Sequence, residues 1–404
     1  MPIPLKRQHS QAGPDISNSR DDHGQPVYVI YTAVMGAYRK ECVEILQQRL
    51  GPALAVYTGE AHLDPTVKTG IPKELYRPVR NRRLNSRLLF QFGGWSTTLK
   101  SEAAIIDLNP RSVTSWVLLL SRRAKGRRTV VWGHLHPQRG KSSPSAWLRR
   151  LMRHLSSGTL VYTYESAESA SAELRGSDVW VAPNAIYRAV QIHPSIGKTR
   201  NAIVYSGRME PSKKVGLLVH AFSLSRLSSE GFVLMLVGGG SLLQELKGLV
   251  RQLGIADSVH FKGTTYDVCE LREIYAQAVC SVSPGYVGLS LTQSVGFGVP
   301  MVVARDEPHS PEIELERLGT VEYFDSDSVE HLAGALRTMS HRQLDDRRVA
   351  WSSYVRNFYS AEAMAQGVMS ALLGNPDSNF KNHRISSCQA NIETSEHPVA
   401  LLDT

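Results

Sequence analysis

The sequence of 404 residues contains little cysteine. The four cysteines lie far apart, without the short spacing that is typical of zinc ligands. They are Cys42, Cys269, Cys280 and Cys388. Such a distribution argues against a disulfide-stapled secreted domain, so we expect reduced thiols in a cytoplasmic protein.

Long apolar runs are also missing. The best candidate, residues 113–120, is interrupted by Thr114 and Ser115 and is too short to cross a bilayer. The first residues lack the apolar core of a signal peptide. With 42% hydrophobic and 21% charged residues, the composition is that of a soluble globular protein. The length suffices for two domains, each with its own core.

Acidic residues are scarce in the first half of the chain. Residues 1–200 contain 29 Lys and Arg against 14 Asp and Glu, whereas residues 201–404 contain 17 against 23. This asymmetry predicts that the first half faces something anionic, either a membrane surface or a nucleic acid. The alternative is that a basic surface only keeps the protein soluble. The aromatic-interleaved signatures of RNA-binding modules are absent, which argues against the nucleic acid.

Two common nucleotide-binding signatures are incomplete. Residues 197–199 would end a P-loop, but Ile192 occupies the position that must be glycine. Residues 238–240 begin like a dinucleotide fingerprint, but Leu243 stands where its last glycine belongs. The sequence therefore predicts neither a P-loop hydrolase nor a dinucleotide-dependent oxidoreductase.

The most informative stretch is residues 281–303. It reads as the end of a buried strand, a turn with Pro284, Gly285 and Gly288, a helix over residues 289–297, and a second strand. A glycine-rich turn ahead of a helix presents backbone N–H groups to an anion, most often a phosphate. The alternative is that the glycines only make a tight turn.

This stretch resembles the C-terminal donor-site signature of retaining glycosyltransferases of the GT-B fold, family four, the glycosyltransferase group 1 type. Gly288-Leu289 and residues 298–300 keep the family's spacing. The resemblance implies an α/β fold of two Rossmann-like doubly wound domains with a central cleft. It points to the bacterial polysaccharide-assembly subset of the family.

The chain departs from the family pattern at three positions. Ser283 and the proline after it are a loose echo of the family's Pro-Ser pair, and the two family glutamates fall on Gly285 and Gln293. In the family the second glutamate bonds the ribose hydroxyls, which the amide of Gln293 can also do. Gly285 has no side chain, so Tyr286 or backbone groups are expected to contact the sugar instead.

A second segment resembles the family's Gly-Arg-Leu…Lys-Gly motif. Gly207, Arg208 and Lys213 occupy the matching positions, with Lys214 as an alternate for the lysine. The resemblance implies that Arg208 and Lys213 hold the donor diphosphate. A guanidinium and an ammonium complement the charge of a pyrophosphate.

Two further residues are placed by the resemblance. His134 follows a predicted strand over residues 127–132, and a histidine in this loop lines the sugar pocket in the family. His136 is the weaker candidate for that role. Glu312 matches the glutamate of a Pro-Glu pair that lies near the donor base or sugar.

The resemblance and the strand pattern together predict the domain organisation. We expect disordered tails at residues 1–26 and 375–404, an acceptor domain over residues 27–185 and a linker over 186–200. A donor-binding domain over residues 201–374 follows, whose final helix crosses back to the first domain.

One predicted helix, residues 146–155, allows two interpretations. Trp147 and Leu151 belong to its apolar stripe, while Arg149, Arg150 and Arg153 flank it. A basic amphipathic helix of this kind binds anionic lipid headgroups. It is equally consistent with an ordinary packed helix whose arginines are solvated.

The predicted activity is transfer of a sugar from a nucleotide-sugar donor, with retention, to a saccharide or polyprenyl-diphosphate-linked acceptor in extracellular or capsular polysaccharide biosynthesis. Arg208, Lys213 and His134 are the predicted catalytic residues. Donor contacts are predicted for Gly207, Ser283, Gly285, Tyr286, Gly288, Leu289, Gln293 and Glu312. No cofactor or metal is expected, because two cations and a helix N-terminus can stabilise the leaving diphosphate.

The expected location is the cytoplasm, peripheral to the inner face of the plasma membrane. Two other functions stay open. One is a GT-B-like sensor that binds a nucleotide sugar without transferring it, and the other is a basic nucleic-acid-binding protein.

Overall fold

A computed structural model describes residues 26–61, 68–85, 87–136, 144–195, 197, 199–342 and 345–383. Of the tail predicted over residues 1–26, residues 1–25 lie outside the described residues, as do residues 384–404 with Cys388. The chain divides into two compact units, Met1–Trp132 with Leu151–Ser157, and Gly133–Arg150 with Gly158–Thr404. The domain bounds expected from the sequence stay a prediction.

Fifteen strands lie in the described ranges. They are β1 (Tyr28–Thr32), β2 (Leu54–Thr58), β3 (Arg77–Pro78), β4 (Arg80–Leu84), β5 (Leu88–Phe92), β6 (Ala103–Asp107), β7 (Arg128–Trp132), β8 (Gly158–Val161), β9 (Asp178–Val181), β10 (Ala202–Ser206), β11 (Val233–Val237), β12 (Val259–Gly263), β13 (Ala278–Ser283), β14 (Met301–Ala304) and β15 (Val321–Phe324).

Twelve α-helices alternate with these strands in the same ranges. They are α1 (Lys40–Leu50), α2 (Trp95–Lys100), α3 (Val113–Ala124), α4 (Pro144–Leu155), α5 (Tyr164–Glu173), α6 (Val215–Ser225), α7 (Leu243–Gln252), α8 (Val268–Ala276), α9 (Leu289–Gly296), α10 (Val329–Ser340), α11 (Asp345–Phe358) and α12 (Ala361–Leu373).

The second sheet has six strands in the order β12-β11-β10-β13-β14-β15. All five strand pairs are parallel. β13 and β14 are buried along their whole length, as expected of parallel strands covered by helices on both faces. The strand order reverses between β10 and β13, and ligands of open α/β sheets bind at the carboxyl ends of such strands.

The first sheet has seven strands in the order β3-β2-β1-β6-β7-β8-β9. β1 is parallel to β2 and β6, with Tyr28 opposite Leu54 and Ala103. β4 and β5 stand outside this order and form a separate antiparallel hairpin. The prediction of an α/β fold with two Rossmann-like, doubly wound sheets is therefore confirmed.

The helix α4 has the character of a packed helix. Met152 is completely buried and Arg153 is 2% exposed. The guanidinium of Arg149 donates to the His134 carbonyl at 2.9 Å, and that of Arg150 donates to the Glu173 carbonyl at 3.3 Å. Of the two interpretations of this stretch, the contacts favour the packed helix, although Trp147 is 65% exposed.

The C-terminal part of the described chain packs on the end of the first sheet. A Cβ on Gly367 of α12 would lie 1.8 Å from the Val181 carbonyl of β9, so only glycine permits this approach. Asp377 accepts a hydrogen bond from the Val181 N–H at 2.7 Å, and the ring of His383 stacks on Tyr164. Residues 375–383 therefore differ from the disordered tail expected there.

None of the helices in the described ranges has the length and apolar character that crossing a bilayer requires.

Candidate functional site

The candidate site lies at the reversal point of the second sheet. β10 ends at Ser206 and β13 at Ser283, on neighbouring parallel strands. The loop after β10 carries Gly207, Arg208 and Lys213, and the turn after β13 carries Gly285. Because parallel strands end at the same edge of a sheet, the two segments singled out in the sequence meet here.

Glycines hold the loop after β10 against its neighbour. The Gly207 N–H donates to the Val237 carbonyl at 3.0 Å, and the Met209 N–H donates to the Gly239 carbonyl at 2.8 Å. Gly238 has a φ of +128°, and a Cβ there would lie 2.0 Å from the Gly207 carbonyl. The glycine triplet that resembles half a dinucleotide fingerprint therefore supports the backbone on either side of Arg208.

Lys213 connects the two segments. Its ammonium donates to the Tyr286 carbonyl at 2.7 Å and lies 4.5 Å from the centre of the Tyr286 ring, a cation–π distance. Partial burial lowers the pKa of Lys213, and the positive charge of Arg208 lowers it further, while Glu307 opposes both. Arg208 is exposed. The loop after β10 thus carries two cations, which favours the binding of an anion.

Lys214, the alternate lysine, has a different role. Its ammonium lies 2.6 Å from carboxylate oxygens of both Glu307 and Asp327, and these hydrogen bonds raise its pKa. Its φ of +52° is left-handed, a conformation that favours glycine or asparagine. This backbone geometry agrees with the glycine that follows the lysine in the family motif, and the two carboxylates leave Lys213 as the lysine for an anion.

Close backbone contact explains Gly285, the position of the first family glutamate. A Cβ on Gly285 would lie 2.7 Å from the Ser212 carbonyl oxygen. Any side chain would push the Lys213 loop away. The glycine is therefore a packing requirement of this chain.

Ser283 and Tyr286 shape the turn after β13. The Ser283 hydroxyl is placed to donate to the carbonyls of Gly285 and Tyr286, at 3.2 and 3.3 Å. The Tyr286 hydroxyl hydrogen-bonds the Ser310 hydroxyl. Ser283 is 6% exposed, so its observed role is to hold the turn.

The helix α9 begins directly after this turn. Gly288 is its N-cap, without a side-chain cap, and Leu289 is its first residue. The first N–H groups of a helix have no acceptor within the helix, and the helix dipole adds positive potential there. Gly288 and Leu289 can therefore offer backbone donors to a diphosphate, as the sequence predicts.

His309 stabilises the same turn and was missed in the sequence. The Val287 N–H donates to His309 Nδ1 at 3.2 Å, so the proton of a neutral ring resides on Nε2 and is donated to the Ala304 carbonyl at 2.7 Å. The signal for this role in the sequence is a histidine shortly after the buried strand β14.

Gln293 lies beneath the site in a buried polar network. Its carbonyl oxygen accepts from the Tyr187 hydroxyl at 3.0 Å, while its amide nitrogen lies 3.1 Å from the hydroxyls of both Ser206 and Tyr275. The side chain is 9% exposed. A contact with ribose, as predicted, would have to replace one of these bonds.

Glu312 is 3% exposed and accepts a hydrogen bond from the Asn184 side chain at 2.9 Å. It lies in a 3₁₀ helix, Pro311–Leu318, whose N-cap is Ser310, the partner of Tyr286. Nearby Glu314 accepts from the N–H groups of Tyr164 and Glu165 at the start of α5, and burial raises its pKa to about 7.

His134 belongs to a different cluster from Arg208 and Lys213. Its exposed ring lies 4.8 Å from the ring of Tyr162. His136 lies 3.2 Å from a carboxylate oxygen of Glu173, an ion pair when the imidazole is protonated. The observed contacts therefore distinguish the two histidines, and neither histidine contacts the loop after β10 in them.

Metal ligands are not grouped in the described part of the chain: no three His, Cys, Asp or Glu side chains there could hold one ion. An Asp-x-Asp sequence, Asp325 and Asp327, directly follows β15. Asp327 pairs with Lys214, and Asp325 pairs with His331 at 2.6 Å and with Arg305 at 3.6 Å. These carboxylates are engaged in ion pairs.

The segment that contains the candidate site matches a known family model. Residues 191–358 match the family model of glycosyl transferases group 1. The matched segment includes the loop after β10, the turn after β13 and the helix α9.

Curated proteins extend this similarity. The chain is 28% identical over 173 residues to a GDP-mannose-dependent alpha-(1-6)-phosphatidylinositol monomannoside mannosyltransferase of Mycobacterium tuberculosis, which is 40% of this chain and 44% of that protein. The chain spans less than half the length of the curated relatives that it matches.

Solved structures agree on the fold. Anabaena HepE in complex with UDP has a TM-score of 0.60 at 13% identity, covering 87% of this chain and 100% of that chain. The lipopolysaccharide outer core galactosyltransferase WaaB has a TM-score of 0.57 at 12% identity, covering 86% and 99%. The GT-B fold predicted from the sequence is confirmed. The family match is limited to residues 191–358, and the solved structures show the fold alone.

Proposed function

We propose that this protein is a retaining glycosyltransferase that moves a sugar from a nucleotide-sugar donor to a saccharide or lipid-linked saccharide acceptor. One observation carries the proposal. The loop after β10, at the reversal point of a Rossmann-like sheet, carries Arg208 and Lys213, and Lys213 contacts the turn that leads into α9.

In this proposal the leaving group is a nucleoside diphosphate. Negative charge grows on its phosphates as the bond to the sugar breaks, so groups that bind this charge accelerate the reaction. The guanidinium of Arg208, the ammonium of Lys213 and the backbone N–H groups of Gly288 and Leu289 supply that stabilisation. Gly207 lets the loop approach the phosphates, and no metal is required for this role.

Sugar recognition relies on the groups around the turn. Because Gly285 leaves no room for a carboxylate, Tyr286 and backbone groups take the place of the family glutamate. Glu312, fixed by Asn184, lies near the donor base or sugar, and His134 lines the sugar pocket. Ser283 and Gln293 contribute by holding the turn and α9 in position.

The proposed acceptor is a polyprenyl-diphosphate-linked saccharide of extracellular or capsular polysaccharide assembly, at the cytoplasmic face of a membrane. The excess of Lys and Arg in residues 1–200 supports an anionic acceptor or surface. The mycobacterial relative is named for action on a phosphatidylinositol mannoside, and WaaB for lipopolysaccharide, which supports a lipid-linked acceptor.

Binding and turnover of candidate donors test the proposal. Calorimetry with UDP, GDP, ADP and TDP, followed by their sugars, should reveal saturable binding of at least one nucleotide. The matching donor should be hydrolysed slowly without acceptor, and NMR of the product should show the donor's anomeric configuration. Binding without any release of nucleoside diphosphate would instead identify a sensor, and no binding would refute the proposal.

Restoring the family glutamate at Gly285 is expected to harm this protein. Gly285→Glu places a Cβ 2.7 Å from the Ser212 carbonyl, so the Lys213 loop must shift. We expect overpacking to lower the free energy of unfolding by about 1–3 kcal/mol and turnover to fall by about tenfold or more.

The alanine variant separates sterics from charge. Gly285→Ala has the same Cβ without the carboxylate and should lose nearly as much turnover and free energy of unfolding. In the control Gly216→Ala, the Cβ meets nothing within 4 Å, so this variant should keep full turnover. Donor-dependent release of nucleoside diphosphate measures the effect. A Gly285→Glu variant more active than the parent would show that the missing carboxylate, and not packing, limits this position.

A further inference from the structure

The hairpin of β4 and β5 presents a face that the proposed chemistry does not use. Cross-strand partners are Arg80 with Phe92, Arg82 with Phe90, and Leu84 with Leu88. Directly opposed residues, and residues two apart in a strand, project from the same face. These six residues therefore form one surface, which we call the hairpin face.

The opposite face of the hairpin is anchored to the protein. Leu89 and Gln91 are completely buried. The Gln91 amide donates to the Thr32 carbonyl at 3.0 Å, and the Asn81 amide donates to the Ala33 carbonyl at 2.8 Å. The Leu89 N–H donates to the Arg111 carbonyl at 2.8 Å. The hairpin is therefore held in place while its other face points outward.

Large apolar side chains are exposed on the hairpin face. Leu84 is 51% exposed, Leu88 38% and Phe92 52%. Leu84 and Leu88 form the last cross-strand pair before the turn. A contiguous apolar group of this kind on a soluble protein marks a binding surface.

Within the hairpin segment itself, the charge has one sign. Residues 77–92 contain five arginines and no acidic residue. Arg80 and Arg82 are exposed, and neither pairs with a carboxylate among the described residues. Arg82 stands two residues behind Leu84, which is roughly 7 Å along a strand. Both side chains project from the same face, and arginine side chains are long enough to reach headgroup phosphates while neighbouring apolar side chains enter the headgroup and acyl boundary.

We propose that the hairpin face docks on an anionic lipid bilayer, with Leu84 and Leu88 inserted and Arg80 and Arg82 at the headgroup phosphates. A second copy of this chain fits less well, because two-fold pairing would bring like arginines together. A nucleic acid would use the arginines but would leave the leucine tip without a partner. This inference rests on the membrane location in the proposed function and assigns membrane binding to the hairpin face. Its test does not involve sugar transfer.

Vesicle sedimentation of the full chain tests the proposal, with phosphatidylcholine vesicles with or without phosphatidylglycerol. We expect binding only with phosphatidylglycerol, and weaker binding at high salt. Neutralising both arginines in Arg80→Gln with Arg82→Gln should weaken the partition coefficient by about 30-fold. Leu84→Ser with Leu88→Ser should weaken it by about tenfold or more.

Matched substitutions in the other sheet region serve as controls. Leu224 is 52% exposed, so Leu224→Ser should leave sedimentation unchanged, as should Arg251→Gln with Lys262→Gln at exposed sites. A single Leu88→Trp variant should show a blue-shifted emission with anionic vesicles.

Three outcomes would overturn the proposal: parental sedimentation of both hairpin variants, equal binding to neutral vesicles, or no emission shift. A hairpin variant that changed only the oligomeric state or RNA binding would assign the face to that partner instead. Calorimetric donor binding by the same variants should match the parent, so failure here is distinguishable from failure of the proposed function.

Discussion

Replacing Lys213 with methionine is expected to lower turnover by about 10²–10³-fold, which corresponds to about 2.7–4 kcal/mol of transition-state stabilisation. The Lys213 ammonium reaches the turn that leads into α9 and donates a hydrogen bond to the Tyr286 carbonyl at 2.7 Å. Methionine keeps the apolar stem over the Tyr286 ring but removes the charge. Since the charge matters most when the diphosphate leaves, turnover should fall more than the affinity for the donor.

Steady-state release of nucleoside diphosphate, with calorimetric binding in parallel, measures this effect. Arg208→Gln should act in the same direction, because Arg208 is close enough to lower the pKa of Lys213. Lys262→Met, at an exposed position on β12, is the matched control and should keep parental turnover. Near-normal turnover of both Lys213→Met and Arg208→Gln would remove these residues from the mechanism.

A single methyl group at Gly238 is expected to destabilise the second sheet region strongly. Gly238→Ala would place a Cβ 2.0 Å from the Gly207 carbonyl oxygen at a φ of +128°. The backbone cannot adopt this conformation with a side chain without strain, and a backbone atom cannot move aside as a flexible side chain can. We expect a loss of about 3–5 kcal/mol in the free energy of unfolding.

Urea unfolding checks this, as a lower midpoint with an unchanged slope. Gly231→Ala separates the two causes, because Gly231 has a φ of +85° but nothing within 4 Å of a Cβ. The free energy of unfolding of that control should fall by only about 1 kcal/mol. If the two variants were equally stable, steric contact with the loop of Arg208 would not be what requires glycine at position 238.

The strands and the glycine-rich turn before α9 could be predicted from the sequence. The runs around β10, β13 and β14 are apolar and bounded by glycine, which is typical of buried parallel strands. Gly288 and Leu289 were placed at a helix start because the turn before them and the apolar period after them are both local signals. Arg208 and Lys213 were predicted through a motif that keeps its spacing.

Other residues were beyond that reasoning, because their roles depend on contacts distant in sequence. Lys214 could replace Lys213 in the sequence, and only Glu307 and Asp327, brought beside it by the fold, separate the two lysines. In the sequence, Gln293 is predicted to bind ribose. In the structure, its amide is hydrogen-bonded to the hydroxyls of Tyr187, Ser206 and Tyr275.

The sequence by itself determined the class of fold and the cationic loop, since hydrophobic period, glycine position and charge are properties of neighbouring residues. Only the tertiary structure decided why Gly285 is glycine, because the Ser212 carbonyl that excludes a side chain comes from a loop some seventy residues earlier. It also separated the packed helix α4 from the exposed hairpin face. Which side of an amphipathic segment is buried depends on what the rest of the chain packs against it.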